Sequence, residues 1–317
     1  LDFARAYWYA RRVTRLREWQ AKINMSGTLL LDEPLAPHTT FAVGGPADLY
    51  AIPESERDLV SLLSFAHNEQ LPYFILGGGA NILVGDNGIR GLVIDMTRLA
   101  GIEHHGTRVT AGAGAAISDV AAYAADHALA GLDFIYAMPG TVGGAVWMNA
   151  RCYDGEIFPI LHGVDAVTAA GASFRYQPDP ADFSYKRSPF MTNDWIMTKA
   201  EFELTPGDPD ELWRKMRAHE EDRRAKGHFA APCAGSVFKN NRALGRPSGA
   251  IIDSIGLRGF AVGGAKVSDL HANIVINTGN ATAEDIRTVV EHVHDRVLNE
   301  LGFDLEREVL YVGEWEE

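Results

Sequence analysis

Leu76-Gly77-Gly78-Gly79-Ala80-Asn81-Ile82-Leu83-Val84 and, further along the chain, Met138-Pro139-Gly140-Thr141-Val142-Gly143-Gly144-Ala145-Val146 are two glycine-rich turns set among apolar residues. Neither has a bulky side chain at its tip, so each can bend until several main-chain N–H groups point at one place. That is how uncharged peptide holds phosphate, and two such turns suit a diphosphate. The first turn departs from the dinucleotide fingerprint Gly-x-Gly-x-x-Gly, because Asn81, Ile82 and Leu83 fill the stretch where the third glycine belongs. Either run alone reads equally well as glycines serving a tight bend. Their weight comes from occurring together and from the polar segments downstream of them in the chain.

The 317 residues are enough for two domains, and 46% apolar with 22% charged residues is the composition of a globular protein. A formal net charge of -13 argues against nucleic acid or an anionic membrane surface as the main partner, so phosphate recognition has to be local. Cys152 and Cys233 are the only cysteines, too few for a disulfide framework or a thiolate metal site, and no apolar run is long enough to cross a bilayer. The expectation is a cytoplasmic protein without membrane insertion. Residues 1–25 differ from the rest, with six basic residues against Asp2 and Glu18. They are read as a basic, non-native or mis-annotated extension forming a loose helix, with a membrane-surface or partner-binding helix as the alternative reading.

From Thr28 onward short apolar strands alternate with helical segments, an α+β pattern. Ser55 is placed to cap a helix carrying Leu59, Leu62, Leu63 and Ala66 on one face, and Tyr73–Leu76 then reads as the strand that delivers the first glycine turn. Gly91–Met96 and Arg108–Ala111 read as strands, and Ser118 to about Ala130 as an alanine-rich helix stopped by Gly131. Gly163–Thr168 and Trp195–Leu204 read as strands of one layer, separated by the polar loop Phe183-Ser184-Tyr185-Lys186-Arg187-Ser188. A charged helix follows Pro206-Gly207-Asp208-Pro209, which marks the boundary between residues 26–208 and 209–317. Thr282 opens an amphipathic helix with Asp285 in its first turn and Gly302 past its end, and Glu308–Val312 closes the chain as a strand.

Ser236 sits in Ala234-Gly235-Ser236-Val237-Phe238-Lys239-Asn240-Asn241 without the Gly-x-Ser-x-Gly elbow of a nucleophilic serine, so acyl transfer is disfavoured. The histidines show no ligand spacing: His292 and His294 point apart on a helix, and His271 reads as a packed or loop-bracing residue. No metal is expected. Glu306 and Glu308 alternate with Arg307 and Val309, which puts the two carboxylates on one face of an extended segment.

Taken in order, these segments resemble the UDP-N-acetylenolpyruvoylglucosamine reductases. The likeness runs through His38-Thr39-Thr40-Phe41-Ala42-Val43-Gly44-Gly45-Pro46-Ala47, both glycine turns, Met148-Asn149-Ala150, Tyr185-Lys186-Arg187-Ser188, the Ser236 block, Gly249 to Asn277, and Leu305-Glu306-Arg307-Glu308-Val309. The compact last third is similar to the shorter of the family's two forms. The resemblance implies an FAD-binding domain of the vanillyl-alcohol-oxidase type, made of two α+β subdomains, with a C-terminal α+β substrate-binding domain. It implies non-covalent FAD with its diphosphate on Gly77, Gly78, Gly79, Ala80, Asn81, Ile82, Pro139, Gly140, Thr141, Gly143 and Gly144, with NADPH as reductant and a UDP-sugar as substrate.

By the same resemblance Ser236 stands at the family's proton donor, and Glu308 at the acidic residue that steadies the enol-like intermediate, which requires it protonated. Tyr185, Lys239 and Asn240 fall at substrate-binding positions. One departure is plain. The family pattern Tyr-Arg-x-Ser reads Tyr185-Lys186-Arg187-Ser188 here, so either Lys186 or Arg187 meets the substrate carboxylate, and a lysine lacks the planar two-pronged donor of arginine.

Overall fold

The computed structural model describes residues 14–315 and builds three units side by side. The first holds β1 (Thr28–Pro34), β2 (Pro46–Ile52), β3 (Tyr73–Leu76), β4 (Ile82–Val84) and β5 (Ile89–Asp95), with the sheet order β1-β2-β5-β3 and β2 and β3 both parallel to β5. Helix α1, described over residues 14–22, and α2 (Glu56–Asn68) cover it. Ser55 caps α2 by accepting the N–H of Asp58, and Leu59, Leu62 and Leu63 are fully buried, each contributing about 1.5–3 kcal/mol of burial free energy.

The opening segment is more than a loose extension. Leu16 and Trp19 are buried in the same core cluster as α2, and the Trp19 indole N–H and Lys22 both reach Glu69. Composition misleads here because basic residues dominate it, whereas two apolar side chains one helical turn apart decide where the helix sits. The residues before Thr14 lie outside the described ones.

The second unit comprises β6 (Ile102–His105), β7 (Arg108–Gly112), α3 (Ile117–Asp126), β8 (Leu129–Ala130), α4 (Val142–Trp147), the hairpin β9 (Arg151–Cys152) and β10 (Gly155–Glu156), β11 (Leu161–Thr168), β12 (Ser173–Tyr176), β13 (Trp195–Glu203) and β14 (Thr205–Pro206). Its antiparallel sheet runs β12-β11-β13-β7-β6, so the two strands expected in one layer are neighbours. Helix α3 ends at Asp126, earlier than the sequence suggests. The chain turns at Ala128, with φ 57°, and Leu129–Ala130 pairs with Thr205–Pro206 as β8 and β14. A partner strand far along the chain wins over alanine's local helix preference.

Helix α5 (Pro209–Ala225) follows, capped by Asp208, and packs Leu212 and Met216 against Ala125 of α3. The third unit contains α6 (Ser248–Ser254), the sheet β15 (Ala261–Val262), β16 (Ala265–Val267) and β17 (Val275–Asn277), α7 (Ala283–Leu301) and β18 (Leu310–Val312). The Thr282–Asp285 capping box and left-handed Gly302 bound α7 where the sequence places them. The last strand begins at Leu310, later than expected, and pairs in parallel with β4 of the first unit. Phe41, Val43 and Leu83 belong to the core of the third unit, and Asp86 caps α7 through the N–H groups of Ala283 and Glu284. The first and third units are therefore joined by a strand pair, a helix cap and a shared core.

Candidate active site

The two glycine turns lie backbone against backbone. A Cβ on Gly78 would stand 2.8 Å from the Gly140 Cα, and one on Gly77 would stand 2.5 Å from the Thr141 Oγ1. Only glycine permits this approach, and Gly79 (φ 58°) and Gly140 (φ 114°) also use conformations that other residues adopt with strain. Among the described residues no carbonyl takes the N–H of Gly78, Gly79, Ala80, Gly140 or Thr141. Thr141 caps α4, whose first residues include Gly143 and Gly144, and Pro139 leads into it. Unspent N–H groups on two facing turns fit the diphosphate of a dinucleotide such as FAD.

The first turn leads directly to the acidic segment. Asn81 donates its side-chain N–H to the main-chain carbonyl of Glu308 at 3.0 Å, while Ile82 opens β4 opposite Leu310. Glu308 in turn donates its own N–H to the Val237 carbonyl at 2.7 Å, so Ser236 and Glu308 lie on adjoining main-chain segments. Ser236 borders a cavity of about 260 Å³ that Asn240, Gly249, Asp253, Arg258 and His271 also line. Its hydroxyl has no hydrogen-bond partner among the described residues.

Of the two basic residues in the Tyr185-Lys186-Arg187-Ser188 loop, Lys186 is the one that faces Glu308. Ser184 and Arg187 exchange main-chain hydrogen bonds across a tight turn, with Tyr185 and Lys186 at its tip and Lys186 at φ 57°. From there Lys186 Nζ pairs with Glu308 Oε1 at 2.7 Å, both side chains being nearly buried, at 12% and 13% exposure. Arg187 is exposed and makes no ion pair among the described residues. The Glu308 side chain, which the resemblance places at the enol-like intermediate, thus faces the Lys186 ammonium.

Tyr185 accepts the Asn240 N–H at 3.3 Å, and Lys239 pairs with the exposed Glu306 at 2.6 Å. The two glutamates thus meet different lysines, Glu308 nearly buried and Glu306 in solvent.

Sequence reasoning missed three supports. Asn149, fully buried with φ 43°, donates to the Ser184 carbonyl at 3.0 Å and to Glu156 at 2.7 Å, and so holds the Lys186 turn. Asn273 clamps both main-chain polar groups of Phe238, which fixes the extended segment bearing Ser236. Arg223, on α5, is 7% exposed, and its Nε has no partner. A buried guanidinium without a carboxylate partner attracts an anion.

His271 is both a brace and a wall of the cavity: its Nδ1 accepts the Asn273 N–H at 3.2 Å. Burial, and after it Lys226 and Arg258, push its pKa below the usual imidazole value. For His228, whose ring centre lies 6.2 Å away, burial and Arg223 push it down to about 4. Elsewhere His38 bridges Glu33 and Tyr50, and His294 bridges Asp295 and Asp304.

Comparison with known proteins gives these sites a context. Residues 227–312 match the family model described as the C-terminal domain of UDP-N-acetylenolpyruvoylglucosamine reductase, and residues 47–176 match an FAD binding domain. The protein of that name from Treponema denticola is 40% identical over 306 residues, covering 91% of this chain and 95% of the relative. The one from Agathobacter rectalis is 41% identical, covering 90% and 95%. The crystal structure of the Thermus caldophilus reductase superimposes with a TM-score of 0.76 at 31% identity, covering 92% of this chain and all of that one. The first two units thus have the vanillyl-alcohol-oxidase type of flavin fold, followed by the C-terminal domain characteristic of those reductases. No described helix is long and apolar enough to cross a membrane.

Proposed function

The chain belongs to the UDP-N-acetylenolpyruvoylglucosamine reductase family, and on that premise we propose that it reduces UDP-N-acetylenolpyruvoylglucosamine to UDP-N-acetylmuramate, with FAD as bound cofactor and NADPH as reductant, in the cytoplasm. The observation that carries this reading is the chain of contacts from the first glycine turn through Asn81 to Glu308 and on to Lys186. It joins a diphosphate cradle to a nearly buried charge pair without an intervening element. We read residues 26–208 as the flavin portion and 209–317 as the substrate portion, with α5 as the arm between them.

Bound FAD supplies hydride chemistry to the substrate's double bond. The protein's part is to hold that double bond and manage the charge it develops. Lys186 binds the enolpyruvyl carboxylate as a point charge, and Glu308 keeps the ammonium aimed and partly neutralised until substrate arrives. The Ser236 hydroxyl, with no competing hydrogen bond, donates the proton to the carbon next to the carboxylate. Tyr185, Lys239 and Asn240 line the approach for the nucleotide. Gly77–Ile82 with Pro139–Gly144 hold the flavin diphosphate.

The test is the absorbance of purified protein. A flavin spectrum should be bleached by NADPH and restored, without oxygen, by the enolpyruvyl nucleotide. A bleached spectrum that oxygen restores and the nucleotide does not would instead make the protein an oxidase on the same fold.

A further inference from the structure

The proposed chemistry needs Lys186, carried by the second unit, and Ser236, carried by the third, to meet one substrate, and the chain passes between those units along α5. The buried residues of this helix are Leu212, Met216 and Arg223. Leu212 and Met216 hold its first half to α3, and past Met216 no apolar side chain of α5 is buried. The end of the helix, from which the chain runs on to Ser236, is fastened instead by Tyr153. Its ring stacks on His219 with centres 3.9 Å apart, and its hydroxyl stands 2.8 Å from Asp222 Oδ2 and 3.0 Å from the His219 carbonyl oxygen. Burial, and after it the hydrogen bond to Asp222, push the Tyr153 hydroxyl above its usual range, while Lys226, first of all, holds the Asp222 carboxyl below its own. Tyr153 is therefore the donor and Asp222 the acceptor.

Tyr153 lies at the tip of the β9–β10 hairpin. The pairs Cys152–Gly155 and Arg151–Glu156 close a two-residue turn in which Tyr153 (φ 45°) and Asp154 (φ 64°) are both left-handed, positions that asparagine and glycine usually fill. A tyrosine is thus held against its backbone preference with its side chain on α5. The body of the hairpin is fixed to the second unit: Cys152 donates to the Phe134 carbonyl at 2.9 Å, and a Cβ on Gly155 would collide with the Phe134 ring. From the hairpin the contacts run on to the carboxylate site. Asn149 donates one amide hydrogen to Glu156 at 2.7 Å and the other to the Ser184 carbonyl at 3.0 Å, and Ser184 closes the turn that carries Lys186.

We propose that Tyr153 is a positioning residue: by fastening the end of α5 to the β9–β10 hairpin it keeps Lys186 on the second unit in register with Ser236 on the third. The proposal rests on Lys186 and Ser236 serving the enolpyruvyl nucleotide. Reduction of the flavin by NADPH needs neither of them, so the two halves of the reaction respond differently when the fastening is lost.

The measurement is stopped-flow absorbance of the flavin without oxygen, with bleaching by NADPH and return of colour on adding the enolpyruvyl nucleotide timed separately. Tyr153→Phe keeps the ring on His219 and loses the bond to Asp222. Bleaching should stay at the wild-type rate while the return of colour slows by about ten- to 100-fold, the scale for a small misplacement of reacting groups. Asp222→Ala leaves the His219 carbonyl as acceptor and should slow the same step by less, and the double variant should be no slower than Tyr153→Phe alone, because both changes remove one bond. Asp222→Asn keeps an acceptor oxygen and should recover most of the rate. Thermal melting of each variant checks folding. A wild-type rate of colour return in Tyr153→Phe, equal slowing of both steps, or additive losses in the double variant overturns the proposal. Wild type that NADPH bleaches and the nucleotide does not restore would overturn the proposed function, and the role of Tyr153 with it.

Discussion

At the scale of single residues, the site depends on a lysine in a backbone conformation that lysine seldom takes. The left-handed conformation of Lys186 costs about 1–2 kcal/mol, offset by the Ser184–Arg187 bonds, the Asn149 clamp and the pair with Glu308. Lys186→Met should keep the flavin spectrum and NADPH bleaching but lower kcat/KM for the enolpyruvyl nucleotide by roughly 100-fold or more, the scale for removing a group that stabilises developing charge. A fall of less than threefold would take Lys186 out of the carboxylate role. Ser236→Ala should likewise leave bleaching by NADPH intact while turnover falls by about 100- to 10,000-fold, as for a positioned proton donor. Steady-state rates at saturating NADPH check both.

At the scale of elements, the glycine turns work as a pair, so substitution in one disturbs the other. Gly78→Ala forces a methyl to within 2.8 Å of the Gly140 backbone, and the protein should purify without its yellow colour while its circular dichroism stays that of wild type. Helix α7 gives a separate check on stability. Thr282→Ala removes one half of the capping box and should cost about 1 kcal/mol, read as a lower midpoint in urea. Helices α2 and α7 were legible in the sequence because their caps and apolar faces are local signals at short spacing. The end of α3 was not, because β8 exists only through its pairing with β14. Of the site, the glycine turns, Ser236 and Glu308 stood in recognisable runs. The aim of Lys186, the Asn149 clamp and the buried Arg223 follow from contacts between distant segments, which no spacing in the chain encodes.

At the scale of the molecule, the three units are joined unequally. The third is tied to the first by β18 against β4, the Asp86 cap and the Asn277 bond to the Phe41 carbonyl. Between the second and third runs a seam in which three histidines have their pKa values lowered, first of all by burial: His219 stacked on Tyr153, His228 and His271. Arg223 and Lys226 lower His228 further, and Lys226 and Arg258 lower His271, while Asp222 opposes the shift at all three and Asp133 opposes it at His219. The folded-state values lie below the unfolded imidazole value of about 6.5, so the stability they contribute is complete above that pH and is lost as pH falls toward the His228 value of about 4. The melting temperature should therefore hold from pH 8 to pH 7 and decline steadily between pH 6.5 and pH 4. His228→Gln, which stays neutral, should flatten the upper part of that decline, before carboxylates such as Asp58 begin to take up protons. If the two melting curves fall in parallel across that window, acid sensitivity originates outside this seam and the histidines there serve only to fill space.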